Sequence, residues 1–173
     1  MLRGGLSGAR WIDEADYHVT LRFAGDIDEG VARDIFYELG RVRKPPLTLT
    51  FDGVSNFGGD RPRAVIARIK PTRALLELQA EHERVMRKAG LAGETRKYTP
   101  HVTLARLRGV RPLSVAGWLG DRGFFPAREF TADQFVVFSS RDSTGGGPYV
   151  VEAAYPLMEA RKPSDPPATS APA

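Results

Sequence analysis

Tyr17-His18-Val19-Thr20-Leu21-Arg22-Phe23 and Pro100-His101-Val102-Thr103-Leu104-Ala105-Arg106 share one core, His-Val-Thr-Leu, in distant parts of a 173-residue chain. In each copy polar and apolar residues alternate, which is the pattern of a half-buried strand. Period two puts His18, Thr20 and Arg22 on one face and Val19, Leu21 and Phe23 on the other. In the second copy His101 and Thr103 share a face, whereas the offset of Arg106 from His101 is odd and predicts that it turns away.

The rest of the chain alternates strands and helices. Val31, Ile35 and Leu39 predict an amphipathic helix with Asp28 as N-cap, closed by Lys44-Pro45-Pro46. Leu47, Leu49 and Phe51 predict a strand, Phe57 to Pro62 a loop and Ala64 to Lys70 another strand. A long helix is expected from Pro71-Thr72 to about Ala89, stopped by Gly90, with Leu75, Leu78, His82, Val85 and Ala89 as its apolar stripe. A polar loop over 93–99 leads to the second repeat. Beyond it come a short helix (113–119), a strand (130–138), a turn-rich loop (140–148) and a final strand (149–157). A Pro-rich tail over 161–173 reads as disordered. The class is therefore α+β or α/β, with residues 1–160 as one domain.

Composition narrows the chemistry. There are no cysteines, which excludes a disulfide scaffold, a thiol nucleophile and thiolate metal sites. No apolar run is long enough to span a bilayer and no secretory signal is visible, so a cytoplasmic protein is expected. Twenty arginines dominate the 25 basic residues of a chain with net charge +4. Arginine forks grip phosphate, although GC-rich coding produces the same bias.

Two histidines provide a general base and a general acid near neutral pH. Set on opposite sides of a phosphodiester, one takes a proton from water and the other gives one to the departing oxygen. Thr20 and Thr103 hydroxyls would hydrogen-bond the non-bridging oxygens. A solvated strand face would explain one copy of the motif; two copies point to a site. Two histidines lack the third ligand a zinc site needs, so no metal and no cofactor are expected. His82, on the helix stripe, reads as a packing residue.

The paired His-x-Thr-Leu strings resemble the two-histidine phosphoesterase superfamily, in particular its RNA 2′,3′-cyclic phosphodiesterase branch, also labelled 2′-5′ RNA ligase. Gly8-Ala9-Arg10-Trp11-Ile12, Phe57-Gly58 with Arg61-Pro62-Arg63, Tyr98-Thr99-Pro100 and Ser139-Ser140 with Gly147-Pro148-Tyr149 extend the likeness over about residues 8–157. The resemblance implies a bilobed α+β fold with a pseudo-twofold axis, antiparallel sheets lining a central groove and helices outside. It implies hydrolysis of RNA 2′,3′-cyclic phosphate ends to 2′-phosphomonoesters, with His18 as proton donor to the 3′-oxygen and His101 as acceptor from water. The partners would be RNA ends or cyclic nucleotides, met by a monomer. A strand and a helix normally precede the Ala-Arg-Trp stretch in this family, whereas only seven residues precede Gly8 here; either the recorded start is too late or the protein is shortened, and a missing strand would expose a sheet edge.

Arg22, Arg106 and Tyr149 are further candidates for substrate contact, Tyr149 as a platform for a base. Arg96, Lys97 and Tyr98 precede the second motif and are placed to line a groove. Two other functions fit the same residues: a non-catalytic RNA- or nucleotide-binding module, and reversible 2′-5′ ligation of RNA ends by the same site run backwards.

Overall fold

The second repeat forms the strand around which the fold is organised. In the computed structural model, which describes residues 2–122, 125–139 and 149–158, His101–Leu107 (β4) lies between Ala9–Trp11 (β1) and Ala64–Ile69 (β3). Leu47–Phe57 (β2) and Glu129–Ala132 (β5) complete a five-stranded sheet of order β1-β4-β3-β2-β5, with every neighbouring pair antiparallel. Gln134–Ser139 (β6) and Val150–Pro156 (β7) form a separate two-stranded ribbon. The expected single strand over 130–138 is thus two strands in two sheets, divided at Asp133. The loop expected over 140–148 and the tail over 161–173 lie outside the described residues.

Three helices cover one face of the sheet. Glu29–Leu39 (α1) starts where Asp28 accepts a hydrogen bond from the Val31 N–H at 3.0 Å. It ends at Gly40, before the Lys44-Pro45-Pro46 stop. Arg73–Lys88 (α2) is capped by Thr72, and Pro112–Arg122 (α3) carries Val115 and Trp118 inward. Ile35, Leu39, Leu75 and Leu78 meet Val65, Ala67, Val102, Leu104 and Ala105 in one apolar cluster. Trp11 of β1 packs on Trp118, ring centroids 5.6 Å apart. The helix-facing side of β4 is therefore core, and the alternate positions of β1 and β4 face away from it.

The first repeat is not a strand. Its one ladder contact is an antiparallel bridge between Val19 and Val102. The reason lies in the edge of β4 it shares. β1 already occupies Ala105 to Leu107, and the Ile12 N–H donates to the Leu104 carbonyl at 2.9 Å. The chain then leaves through a 3₁₀ turn at Glu14–Asp16 and returns with only Val102 left to pair. β1 and the His18 segment thus form one interrupted strand along β4.

β4 carries a bulge. Thr103 faces Ile66 and Ala105 faces Val65, so Leu104 is an inserted residue. Leu104 and Ala105 are both buried, and Arg106 emerges on the face of His101 and Thr103. The alternation rule predicted the opposite for Arg106; the inserted residue resets it.

Candidate active site

The Val19–Val102 bridge assembles the two repeats. In an antiparallel pair with this register, His18 lies across from Thr103 and Thr20 across from His101. Opposed Cβ atoms in such pairs are about 5 Å apart. The four polar side chains share the face of β4 that points away from the helices. The two valines point into the packing beneath, Val102 buried and Val19 half-buried against the core.

Both imidazoles are held in the same way. His18 Nδ1 lies 2.7 Å from the Asp16 carbonyl, and His101 Nδ1 lies 2.7 Å from the Thr99 carbonyl. A carbonyl only accepts, so each Nδ1 carries the proton and each Nε2 is left for chemistry. Neither ring is sealed from solvent, both being half-buried. The His101 pKa lies below the ordinary histidine value. Burial is the main cause, and the positive charges of Arg106 and His18 act in the same direction against the Thr99 carbonyl.

Aromatic rings brace both histidines. Phe57, at the end of β2, meets His101 edge to face at 4.8 Å. Phe138, in β6, lies 5.6 Å from His18, and Tyr149 meets His18 edge to face at 5.0 Å. Each ring therefore has a phenylalanine from a different hairpin against it. Phe57 entered the sequence reading only through the Phe57-Gly58 likeness, without a role at the site, and Phe138 was not singled out; the signal for Phe138 was its position at a hairpin end. The turn that follows Phe57 requires glycine. Gly58 has φ +106°, and a Cβ there would stand 2.2 Å from the Arg61 carbonyl oxygen.

The remaining candidates divide. Tyr149 reaches the site, but as a wall of the His18 ring and a neighbour of Phe138. Arg106 shares the histidine face. Arg22 does not present its guanidinium to a ligand: Nε donates to Glu83 of α2 at 2.5 Å, and the other nitrogens donate to the carbonyls of Phe23 and, at 2.6 Å, Ala92. The expectation of a substrate-binding Arg22 is corrected here. The side chain is a strut between the first repeat, α2 and the loop after it. Arg96 is held by Glu94 at 2.8 Å, which brings the Glu94 carboxyl down to about 2. The Tyr98 hydroxyl is buried without a partner, and burial pushes it up to about 12. His82 is a packing residue, as expected. It is 4% exposed, its Nδ1 bonds the Leu78 carbonyl, and its ring meets Phe135 at 4.6 Å.

Among the described residues no group of three or more His, Cys, Asp or Glu side chains is placed to hold a metal ion. No helix among them is long and apolar enough to cross a membrane.

The family model of the 2′-5′ RNA ligase superfamily matches residues 8–144. This chain belongs to that superfamily. Among curated members, an RNA 2′,3′-cyclic phosphodiesterase of Thermotoga maritima is 31% identical over 147 residues, covering 83% of this chain and 77% of that protein. Its namesake in Aeropyrum pernix is 34% identical over 104 residues, 59% of each chain. A third, from Bacillus subtilis, is 28% identical over 141 residues, 80% of this chain and 72% of that protein. Solved structures share the fold. TT0787 of Thermus thermophilus superposes with a TM-score of 0.72 at 20% identity, over 90% of this chain and 85% of that one. E. coli LigT complexed with 3′-AMP superposes with a TM-score of 0.66 at 20% identity, over 88% and 83%.

Proposed function

We propose that this protein hydrolyses RNA 2′,3′-cyclic phosphate ends to 2′-phosphomonoesters by paired histidine acid–base catalysis, without a metal or other cofactor, as a cytoplasmic monomer. The observation that carries the reading is the Val19–Val102 bridge, because it puts both His-x-Thr pairs on one face. The curated relatives named for this activity support the choice of substrate. So does a fold shared with a LigT that was crystallised with a nucleotide.

In this reading the cyclic phosphate sits between the imidazoles in a groove on the pseudo-twofold axis. His101, whose burial and cationic neighbours favour its neutral form, accepts a proton from water at Nε2. The water oxygen bonds to phosphorus as the P–O3′ bond breaks. His18, protonated, gives the Nε2 proton to the 3′-oxygen, and the phosphate stays on O2′. Thr20 and Thr103 donate to the non-bridging oxygens, where charge builds in the transition state, and Arg106 supplies positive charge from the same face.

The test is incubation with a cyclic-phosphate-ended oligonucleotide in EDTA, with identification of the oxygen that keeps the phosphate. The expected product is the 2′-phosphomonoester, lost in both His18→Ala and His101→Ala. Turnover that EDTA abolishes, or that survives either substitution, overturns the reading. Salt-sensitive RNA binding without turnover would indicate a binding module instead.

A further inference from the structure

The two faces of the β6–β7 ribbon meet different parts of the molecule. Its strands pair with each other and, among the described residues, with no third strand, so side chains hold it in place. On the face turned to the helices, Phe135 and Tyr155 stand directly opposite each other and stack, ring centroids 5.1 Å apart at 21°. α2 meets this pair through His82, whose ring stands edge to face with Phe135 at 4.6 Å. The bond from His82 Nδ1 to the Leu78 carbonyl, 2.9 Å, restrains the plane of that ring. α1 meets the pair through its Phe36 carbonyl, which accepts from the Tyr155 hydroxyl at 3.0 Å. Phe138 is at an odd offset from Phe135, so it stands on the other face, and there it packs with Tyr149 against His18. Glu152 is an inserted residue of β7, since Val137 faces Ala153 while Phe138 faces Val151, and such a bulge turns the outer half of the ribbon.

We propose that the His82–Phe135–Tyr155 stack is a positioning element for His18: it seats the ribbon on α1 and α2, and the seated ribbon holds Phe138 and Tyr149 against the imidazole. The inference rests on the proposed function, in which His18 gives the proton to the 3′-oxygen. The Asp16 carbonyl holds one atom of that ring, Nδ1, and leaves the imidazole free to swing about that bond. Two aromatic walls remove this freedom and aim Nε2. His101 is held differently, since its wall, Phe57, belongs to β2 and so to the five-stranded sheet. Loosening the ribbon therefore disturbs one histidine and spares the other. His82 suits the seat better than the helix stripe: a leucine would fill the stripe with no buried Nε2 left unbonded, whereas the imidazole offers Phe135 a flat, restrained ring. The seat also has room to give way. A cavity of about 120 Å³ lies beside Tyr155, lined by Leu39, Gly40, Arg43 and Met158 among others. A Tyr155 ring released from its stack or its hydrogen bond moves into that space and carries β7 with it.

The experiment follows the carbon-bound ring protons of His18 and His101 by NMR, which sense neighbouring aromatic rings through their ring currents, together with kcat and KM on a cyclic-phosphate-ended oligonucleotide. Phe138→Leu removes the wall itself and gives the His18 resonance expected without it. Phe135→Leu should move the His18 resonance most of the way to that position. Tyr155→Phe, which keeps the ring and loses only the bond to Phe36, should move it less, and His101 should stay in place in both. His82→Phe, which keeps a ring against Phe135, should stay closer to the wild-type resonance than His82→Ala. Val115→Ala, at a buried position of α3, controls for general loosening and should leave His18 unmoved. Phe135→Leu should lower kcat about tenfold and Tyr155→Phe about twofold, with KM near the wild-type value, because misaiming a reacting group costs rate rather than binding. Should Phe135→Leu fail to fold, Tyr155→Phe and the two His82 variants decide. A His18 resonance that keeps its wild-type position in the folded variants overturns the proposal. So does one that Val115→Ala moves equally, or one that moves with kcat unchanged. If the wild-type protein does not turn over the oligonucleotide, the catalytic reading fails, and the seat is still judged by the His18 resonance.

Discussion

Arg106 stands on the same face of the sheet as His101, although five positions of a strand separate them, because Leu104 is inserted between. Its charge helps hold the His101 pKa below the ordinary value. Replacing it by Gln removes that contribution, so the His101 pKa rises. If His101 is the proposed base, which must be neutral to act, it is then protonated at higher pH, and the acidic limb of the pH–rate profile moves upward. The profile of kcat/KM, or an NMR titration of His101, measures the shift. An acidic limb that stays in place would show that burial alone sets the base.

Thr20 and Thr103 lie across the bridge from His101 and His18 respectively. Valine keeps their shape and removes the hydroxyl. If the hydroxyls stabilise charge that builds on phosphate, each Thr→Val change lowers kcat about 100-fold with little change in KM. A rise in KM at constant kcat would mean that they bind the substrate and transition state equally.

Arg22 gives a prediction of the opposite kind. Its side chain is 9% exposed and that of Glu83 is 21% exposed, and Glu83 also accepts the Glu94 N–H. Removing either partner leaves a poorly solvated charge, a loss of roughly 1–3 kcal/mol. Arg22→Met and Glu83→Gln should each lower Tm, and the double variant should lose less than the two combined. Well below Tm, kcat/KM should stay near the wild-type value in Glu83→Gln. A large loss of turnover there, with the fold intact, would return Arg22 to the substrate-binding candidates.

These cases show what the sequence made legible. Alternation was enough to pair each His with its Thr, because one strand step is a local rule. The helices were legible for the same reason, down to the cap Asp28 and the start of the long helix at Pro71-Thr72. Arg106 was misplaced because a bulge leaves no mark in an isolated strand: Leu104 and Ala105 are both apolar whether or not one is inserted. The His18 segment reads as a strand, yet β1 takes most of the edge it needs, and that competition exists only in the folded sheet. Arg22 was misassigned because its partner is 61 positions away on a helix. Phe57 and Phe138 brace the histidines from two separate hairpins, which no spacing within the chain records.

His82 shows how packing sets a pH limit on the fold. Burial lowers its pKa, the Leu78 carbonyl holds Nδ1–H, and Nε2 has no partner. A proton added at Nε2 would be a buried donor with nothing to accept it, against the edge of Phe135, which itself stacks on Tyr155. The folded pKa lies below the unfolded value of about 6.5. The unfolded chain therefore binds the proton first as pH falls. The stability from a neutral His82 is complete above about pH 6.5 and declines below it, by at most about 1.4 kcal/mol per pH unit, until the folded protein also takes the proton. His101 is shifted in the same direction and contributes alongside it. Denaturant melts at pH 7.5 and 5.5 should show a smaller loss of stability in His82→Leu than in the wild-type protein, and a smaller loss again when His101→Ala is added. Equal losses in all three would mean that carboxylates, not these two rings, set the acid limit.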